Sequence, residues 1–238
     1  MNEFRTDVPD APRFKDRQEA ARLLVQALDR CRGRHPLVLG IPRGGVVLAG
    51  ILARGLEGDL DVALVRKLGA PGAPEFAIGS ITEHGLVILN EGWEDVASAS
   101  YLQAEIEEAL ALLRRRREAY TPDRAPISPT GRAAIIVDDG IATGATMLAA
   151  VRSLKESGAE RVIVAAAVAP PRTVVALRRE VDDVVILRSP EPFYAVSLYF
   201  SDFSEVSDEE VARILGTRAE PAPLHHGNFG LHPPRRPP

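Results

Sequence analysis

The sequence predicts an α/β fold, a mainly parallel twisted sheet with helices on both faces. Three observations carry that prediction. Short apolar runs of strand length alternate with amphipathic helical stretches at βαβ spacing. The run from Ala133 to Val137 is apolar at every position, as in a parallel strand buried on both faces. Three unusual loops, 42–45, 66–75 and 138–146, each follow an apolar strand. Such loops gather at the carboxyl edge of a parallel sheet, where α/β proteins bind ligands.

The elements follow in order. Met1 to Lys15 is polar and proline-containing and is expected as a surface arm, so the main domain is expected over 16–218. Asp16 and Glu19 form a capping box for a helix through Ala20, Leu23, Leu24, Ala27 and Leu28, which Gly33 stops. Pro36 to Ile41 is a strand. Pro42-Arg43-Gly44-Gly45 then leads into an apolar helix through Val46, Leu48, Ile51 and Leu52. Asp61 to Val65 reads as a second strand ending in Arg66-Lys67, and Leu68 to Glu75 as a Gly/Pro-rich loop with too few apolar residues to pack itself.

Phe76 to Thr82 and Leu86 to Leu89 flank Glu83-His84-Gly85 as a hairpin. Ser100 with Gln103 is expected to cap a long helix ending in Arg114 to Arg117, and Pro122 to Thr130 is a connector. The strand before Asp138-Asp139 comes next, and then a helix from near Ala145, closed by Gly158. Arg161 to Val168 and Val184 to Leu187 are further strands, separated by a helix over Val174 to Val181. Glu191 to Phe203 is aromatic-rich, and Ser207 with Glu210 caps a last short helix. The segment 219–238, rich in proline, is expected to be disordered.

Composition narrows the function. With 45% apolar and 26% charged residues the chain has ample core, and a net charge of −4 speaks against general nucleic-acid binding. A single cysteine, Cys31, leaves no intrachain disulfide and no multi-cysteine metal site. No apolar run is long enough for a bilayer, and no signal-peptide pattern is seen, so no membrane partner and a cytoplasmic location are expected.

The informative stretch is Val137-Asp138-Asp139-Gly140-Ile141-Ala142-Thr143-Gly144-Ala145-Thr146. Two adjacent acids ending a buried strand cost desolvation and repel each other, so a plain strand–helix turn needs a compensating partner for them. They can accept hydrogen bonds from a vicinal diol, and the small-residue loop opening a helix can surround a phosphate. The loop lacks the Gly-Lys-Ser/Thr ending of a Walker A motif. Pro42-Arg43-Gly44-Gly45 and Arg66-Lys67 are weak signals alone, a tight turn and a solvated strand tip.

Arg114 to Arg117 reads as a solvated helix end, His84 as turn chemistry, and His225 and His226 as tail residues without metal partners. Ser201 and Ser204 lack a His–acid arrangement, so a hydrolase has no visible nucleophile. Phe193, Tyr194, Tyr199, Phe200 and Phe203 are either core or part of a ligand-covering element.

Together the three loops, spread between Pro36 and Leu187, resemble type I phosphoribosyltransferases, whose motif for 5-phosphoribosyl pyrophosphate (PRPP) matches 137–146. Gly140 departs from that pattern, which has a larger apolar residue there. The resemblance implies a Rossmann-like core and a small hood, expected from 191–215 and N-terminal elements. It implies that Asp138 and Asp139 hold the ribose hydroxyls and that Ala142, Thr143, Gly144, Ala145 and Thr146 hold the 5′-phosphate. Arg43, Gly44, Gly45, Arg66 and Lys67 would hold the pyrophosphate, with Arg66, Lys67 and Asp139 catalytic.

The implied activity is Mg²⁺-dependent transfer of phosphoribosyl from PRPP to a nitrogenous acceptor in nucleotide metabolism. Mg²⁺ would be held by PRPP and water rather than directly by the protein. The stretch 68–75 could close over the site and exclude water. The acceptor-binding residues, and whether the chain forms a homodimer, are left open. The rival readings are a PRPP- or nucleotide-sensing protein without turnover, and an N-glycosidic hydrolase.

Overall fold

The computed structural model describes residues 13–122 and 124–216. The expected disordered segment 219–238, with His225 and His226, and most of the N-terminal arm lie outside these described residues. The central strands are β1 (Leu37–Gly40), β2 (Asp59–Val62), β6 (Ala133–Gly140), β7 (Arg161–Val168) and β8 (Asp183–Arg188). They form one parallel sheet in the order β2-β1-β6-β7-β8.

The remaining strands, β3 (Val65–Ala70), β4 (Ala73–Thr82) and β5 (Val87–Leu89), form a separate antiparallel sheet. The helices are α1 (Arg17–Ala27), α2 (Gly44–Leu56), α3 (Ala99–Tyr120), α4 (Ala145–Glu156), α5 (Pro171–Arg178) and α6 (Asp208–Gly216).

Alternation along the central strands divides the apolar side chains between two layers, as a two-residue repeat requires. Ile135, Val137, Ile163 and Ala165 pack with Leu24 and Leu28 of the α1 region and Leu48 and Leu52 of α2. Ala134, Ile136, Val162 and Val164 pack with Met147, Val151 and Leu154 of α4 and Val174 and Leu177 of α5. A third cluster joins the small sheet, through Leu68, Ile78 and Ile81, to Leu113 of α3 and Val211 of α6.

The order of strands places the ligand edge. From β1 the chain winds outward to β2, whereas β6, β7 and β8 wind the other way. The switch point therefore lies between β1 and β6, where the loops after both strands are neighbours. The Ile41 N–H donates to the Val137 carbonyl at 2.9 Å and fastens them.

Several expectations need correction. Strand β2 ends at Val62, opposite Gly40, and Val65 to Lys67 belong to the second sheet. Leu68 to Glu75 is not a loop but the turn region of the β3–β4 hairpin, tightened at Gly72 with φ +70°. Its apolar residues Leu68 and Ala70 are buried, and Tyr101 on α3 donates to the Gly69 carbonyl at 3.1 Å. Ser98, not Ser100, caps α3, accepting from the Tyr101 N–H. Helix α5 starts three residues earlier than expected, at Pro171, a position where proline suits a helix start.

The hairpin of β4 and β5, the Asp16 cap of α1 and the Ser207 contact to the Glu210 N–H are as the sequence suggests. Phe14 is no surface residue: it is 2% exposed and pairs with Phe200. Tyr199 and Phe200 are core, Phe193 and Phe203 pack partly against it, and Tyr194 is exposed.

Candidate functional site

Asp138 and Asp139 end β6, at the switch point. Asp139 is nearly buried and Asp138 half-buried. Burial, reinforced by the carboxylate of Asp139, pushes the Asp138 carboxyl well above the ordinary carboxylate range. Asp138 Oδ1 accepts from the Asp139 N–H at 2.8 Å. The Asp139 carboxylate has a partner that sequence reading did not find. Arg17, in the first turn of α1, donates from Nε to Asp139 Oδ2 at 2.8 Å. Nothing in the sequence marks this arginine, because an arginine on a first turn is ordinary surface chemistry.

The glycine loop lies directly against the acids. A Cβ on Gly44 would fall 2.0 Å from Asp139 Oδ2, and one on Gly45 would fall 2.5 Å from the Val137 carbonyl. Only glycine permits this approach. Helix α2 starts here with Arg43 as its N-cap and no side-chain cap, so the amides of its first turn are left to the loop. The Pro42–Arg43 peptide is cis. Arg43 forms an ion pair with Glu205.

The loop after the acids opens α4. Gly144 is its N-cap at φ +84°, where a side chain would be strained, and no side chain caps this helix either. Ala142, Thr143 and Ala145 are exposed, Thr146 is half-buried, and Gly144 is buried. Thr173 of α5 donates to the Ala142 carbonyl at 2.6 Å, which fixes one side of the loop. Sequence reading missed this anchor as well.

Gly140 is accounted for by packing: a Cβ there would lie 2.4 Å from Val196 Cγ1. Val196 occupies the space of the larger residue expected at 140.

The structure thus unites Asp138, Asp139, Gly44 and Gly45, with Arg43 at the loop head. Arg66 and Lys67 lie on β3 of the second sheet rather than at the end of a core strand. The connection from β2 to β3 starts beside the end of β1, since the Ala63 N–H donates to the Gly40 carbonyl at 3.0 Å. Lys67 is exposed, and Arg66 is half-buried with Nε buried and without a hydrogen-bond partner.

Arg117 departs most from expectation. Rather than solvated, it forms a fork with Glu83 at 2.8 and 2.5 Å and donates to Asp61 at 2.7 Å. Desolvation opposes its charge, but these two carboxylates outweigh it and raise its pKa. The cluster ties α3 to β2 and to the β4–β5 turn.

Among the described residues no group of three or more His, Cys, Asp or Glu is placed to hold a metal ion, and no helix is long and apolar enough to cross a membrane.

The chain is similar to known proteins over most of its length. The family model described as phosphoribosyl transferase domain matches residues 10–195. Mycobacterium tuberculosis proteins from two strains, each named "Putative phosphoribosyl transferase", are 42% identical over 207 residues. That match covers 85% of this chain and 46% of theirs, so the chain spans about half the length of these relatives. The crystal structure of TT1426 from Thermus thermophilus matches at 46% identity and a TM-score of 0.75, covering 85% of this chain and 97% of that one.

Proposed function

Since the chain belongs to the phosphoribosyl transferase domain family, we propose that it binds PRPP and transfers the 5-phosphoribosyl group to a nitrogenous acceptor, releasing pyrophosphate. The observation that carries this reading is the acid pair at the switch point with the Gly44–Gly45 turn packed against it and the uncapped start of α4 beside it. A diol, a phosphate and a diphosphate each meet suitable chemistry within one edge of the sheet.

In this reading Asp138 and Asp139 accept hydrogen bonds from the ribose 2′- and 3′-hydroxyls. The amides of Ala142 to Thr146, with the Thr143 and Thr146 hydroxyls, surround the 5′-phosphate at the positive end of α4. Arg43 and the Gly44 and Gly45 amides take the pyrophosphate, joined by Arg66 and Lys67. The unpaired Nε of Arg66 supports that last assignment, because a buried donor without an acceptor is costly until an anion supplies one.

The acceptor nitrogen attacks the anomeric carbon as the bond to the pyrophosphate oxygen breaks, with inversion. The protein's work is to hold ribose and acceptor in line and to stabilise charge growing on the leaving group. Hard carboxylate oxygens, with no three-residue metal cluster among the described residues, suit Mg²⁺ held mostly by substrate oxygens and water. When bound, Mg²⁺ would neutralise part of the diphosphate charge. The β3–β4 hairpin, with an exposed tip at 71–76, takes the covering role expected of a loop there.

A pyrophosphate-release assay with PRPP and Mg²⁺ over purines, pyrimidines and small amines tests the reading. Release with one acceptor class supports the transferase and names its substrate. Tight PRPP binding without release from any acceptor supports the sensing protein instead.

A further inference from the structure

Two charged contacts close the candidate site from the same side. Arg17 donates to Asp139 and, from Nη1, to the Ser204 carbonyl at 2.7 Å, while its Cζ lies 3.9 Å from the Phe203 ring centroid. One residue further, Glu205 pairs with Arg43. Residues 201–205 therefore run as a strap tied to both the acid pair and the glycine loop.

Phe200 and Val206 anchor the strap's ends in the core, but Ser201, Asp202, Ser204 and Glu205 between them are exposed and Phe203 is half-buried. The segment has no helix or strand, and the Ser201 and Asp202 N–H groups donate to the Phe14 and Lys15 carbonyls at 2.8 Å. Phe203 packs against the core, so the exposed residues 204–205 are the part held chiefly by Arg17 and Arg43 and the part that can open at low cost.

We propose, resting on the phosphoribosyl reading above, that this strap guards the site by occupying it. Glu205 holds the place of pyrophosphate on Arg43, and Arg17 holds the place of the ribose diol on Asp139. A carboxylate and a diphosphate oxygen seek the same guanidinium, so they compete for it. A guanidinium and a hydroxyl both donate to the same carboxylate oxygen, so they compete as well. PRPP exchanges these internal contacts for its own and frees the strap at Ser204 and Glu205.

Substrate affinity is lowered by whatever the strap contacts contribute, so weakening them tightens binding. Arg43 and Glu205 are 42% and 76% exposed, a pair of modest strength. Calorimetric titration of the full chain with magnesium pyrophosphate, and separately with PRPP, tests this. Glu205→Gln should bind pyrophosphate about two- to five-fold more tightly than wild type. Glu94→Gln removes the same charge at an exposed position outside the strap and should leave affinity unchanged.

Weaker or equal binding by Glu205→Gln, or equal tightening by both variants, overturns the strap while PRPP binding by wild type keeps the phosphoribosyl reading. A wild type that binds neither ligand overturns both. Hydrogen exchange supplies the second readout: the Ser201 and Asp202 amides should exchange faster with PRPP bound. Slower exchange there contradicts release of the strap.

Discussion

Arg17 reaches Asp139 across 122 positions of sequence, and its Nε lies 2.8 Å from Asp139 Oδ2. The two side chains are only 12% and 13% exposed. The bond therefore joins the first helix of the fold to the motif that ends its central strand. An aspartate beside a second carboxylate needs a cation, and α1 supplies it.

Replacing Arg17 with methionine removes that cation while keeping an apolar stem against Phe203. Leaving a nearly buried carboxylate without its charged partner should lower stability by about 1–3 kcal/mol. Urea denaturation followed by circular dichroism measures this, and an unchanged midpoint would show the bond to be energetically idle.

Asp138 gives a pH dependence of opposite origin. Its folded pKa is raised above the unfolded value, chiefly by burial and then by Asp139. Between those two values the folded protein holds more protons than the unfolded chain, so stability falls as pH rises through that window. Asp138→Asn keeps the oxygen that accepts from the Asp139 N–H and removes the titrating group. Its melting temperature at neutral pH should exceed that of wild type, and its pH profile should be flatter above the ordinary carboxylate range. A lower melting temperature would mean that the carboxylate stabilises the fold.

Gly44→Ala tests the close approach of loop and acid. The new Cβ falls 2.0 Å from Asp139 Oδ2 and 2.9 Å from Arg17 Nε, so one of the two must shift. Overpacking of this kind costs about 1–3 kcal/mol. PRPP binding should weaken by roughly tenfold or more, as one displaced charged contact implies. Isothermal titration reads the binding, and differential scanning calorimetry reads the fold.

The Arg117 cluster is structural, tying α3 to β2 and to the β4–β5 turn. Arg117→Met takes the fork from Glu83 and the nearer of two cations from Asp61, which is 2% exposed at its side chain and keeps Arg124 at 3.4 Å, and should cost about 3 kcal/mol. Lysine cannot reproduce the fork on Glu83 and should recover less than half of that loss. Chemical denaturation of both variants checks the ranking.

Much of this architecture is legible in the sequence. Apolar runs such as Ala133 to Val137 mark strands buried on both faces, and Asp138-Asp139 stand out because burial makes paired acids costly. The glycines of 44–45 and 144 also declare themselves, since their positions suit close approach and positive φ. What stayed hidden depends on distant partners.

Arg17 and Thr173 meet the site only through folding, and neither carries a local pattern. Arg117 looks like its neighbours Arg114 to Arg116 until Asp61 and Glu83 are brought to it. The stretch 68–75 misled for another reason: its few apolar residues pack on α3, not on each other. Val196 beside Gly140 shows the same effect, a volume exchange between residues that sequence reading treats separately.

The most direct test of the central claim is PRPP titration of wild type against the Asp138→Asn/Asp139→Asn double variant, with Mg²⁺ present. Each carboxylate hydrogen bond to a ribose hydroxyl is worth about 1.5–3 kcal/mol. The double variant should therefore bind at least about 100-fold more weakly while remaining folded. Equal affinity of the two proteins would contradict the assignment of the acid pair to the ribose, and with it the phosphoribosyl reading of the site.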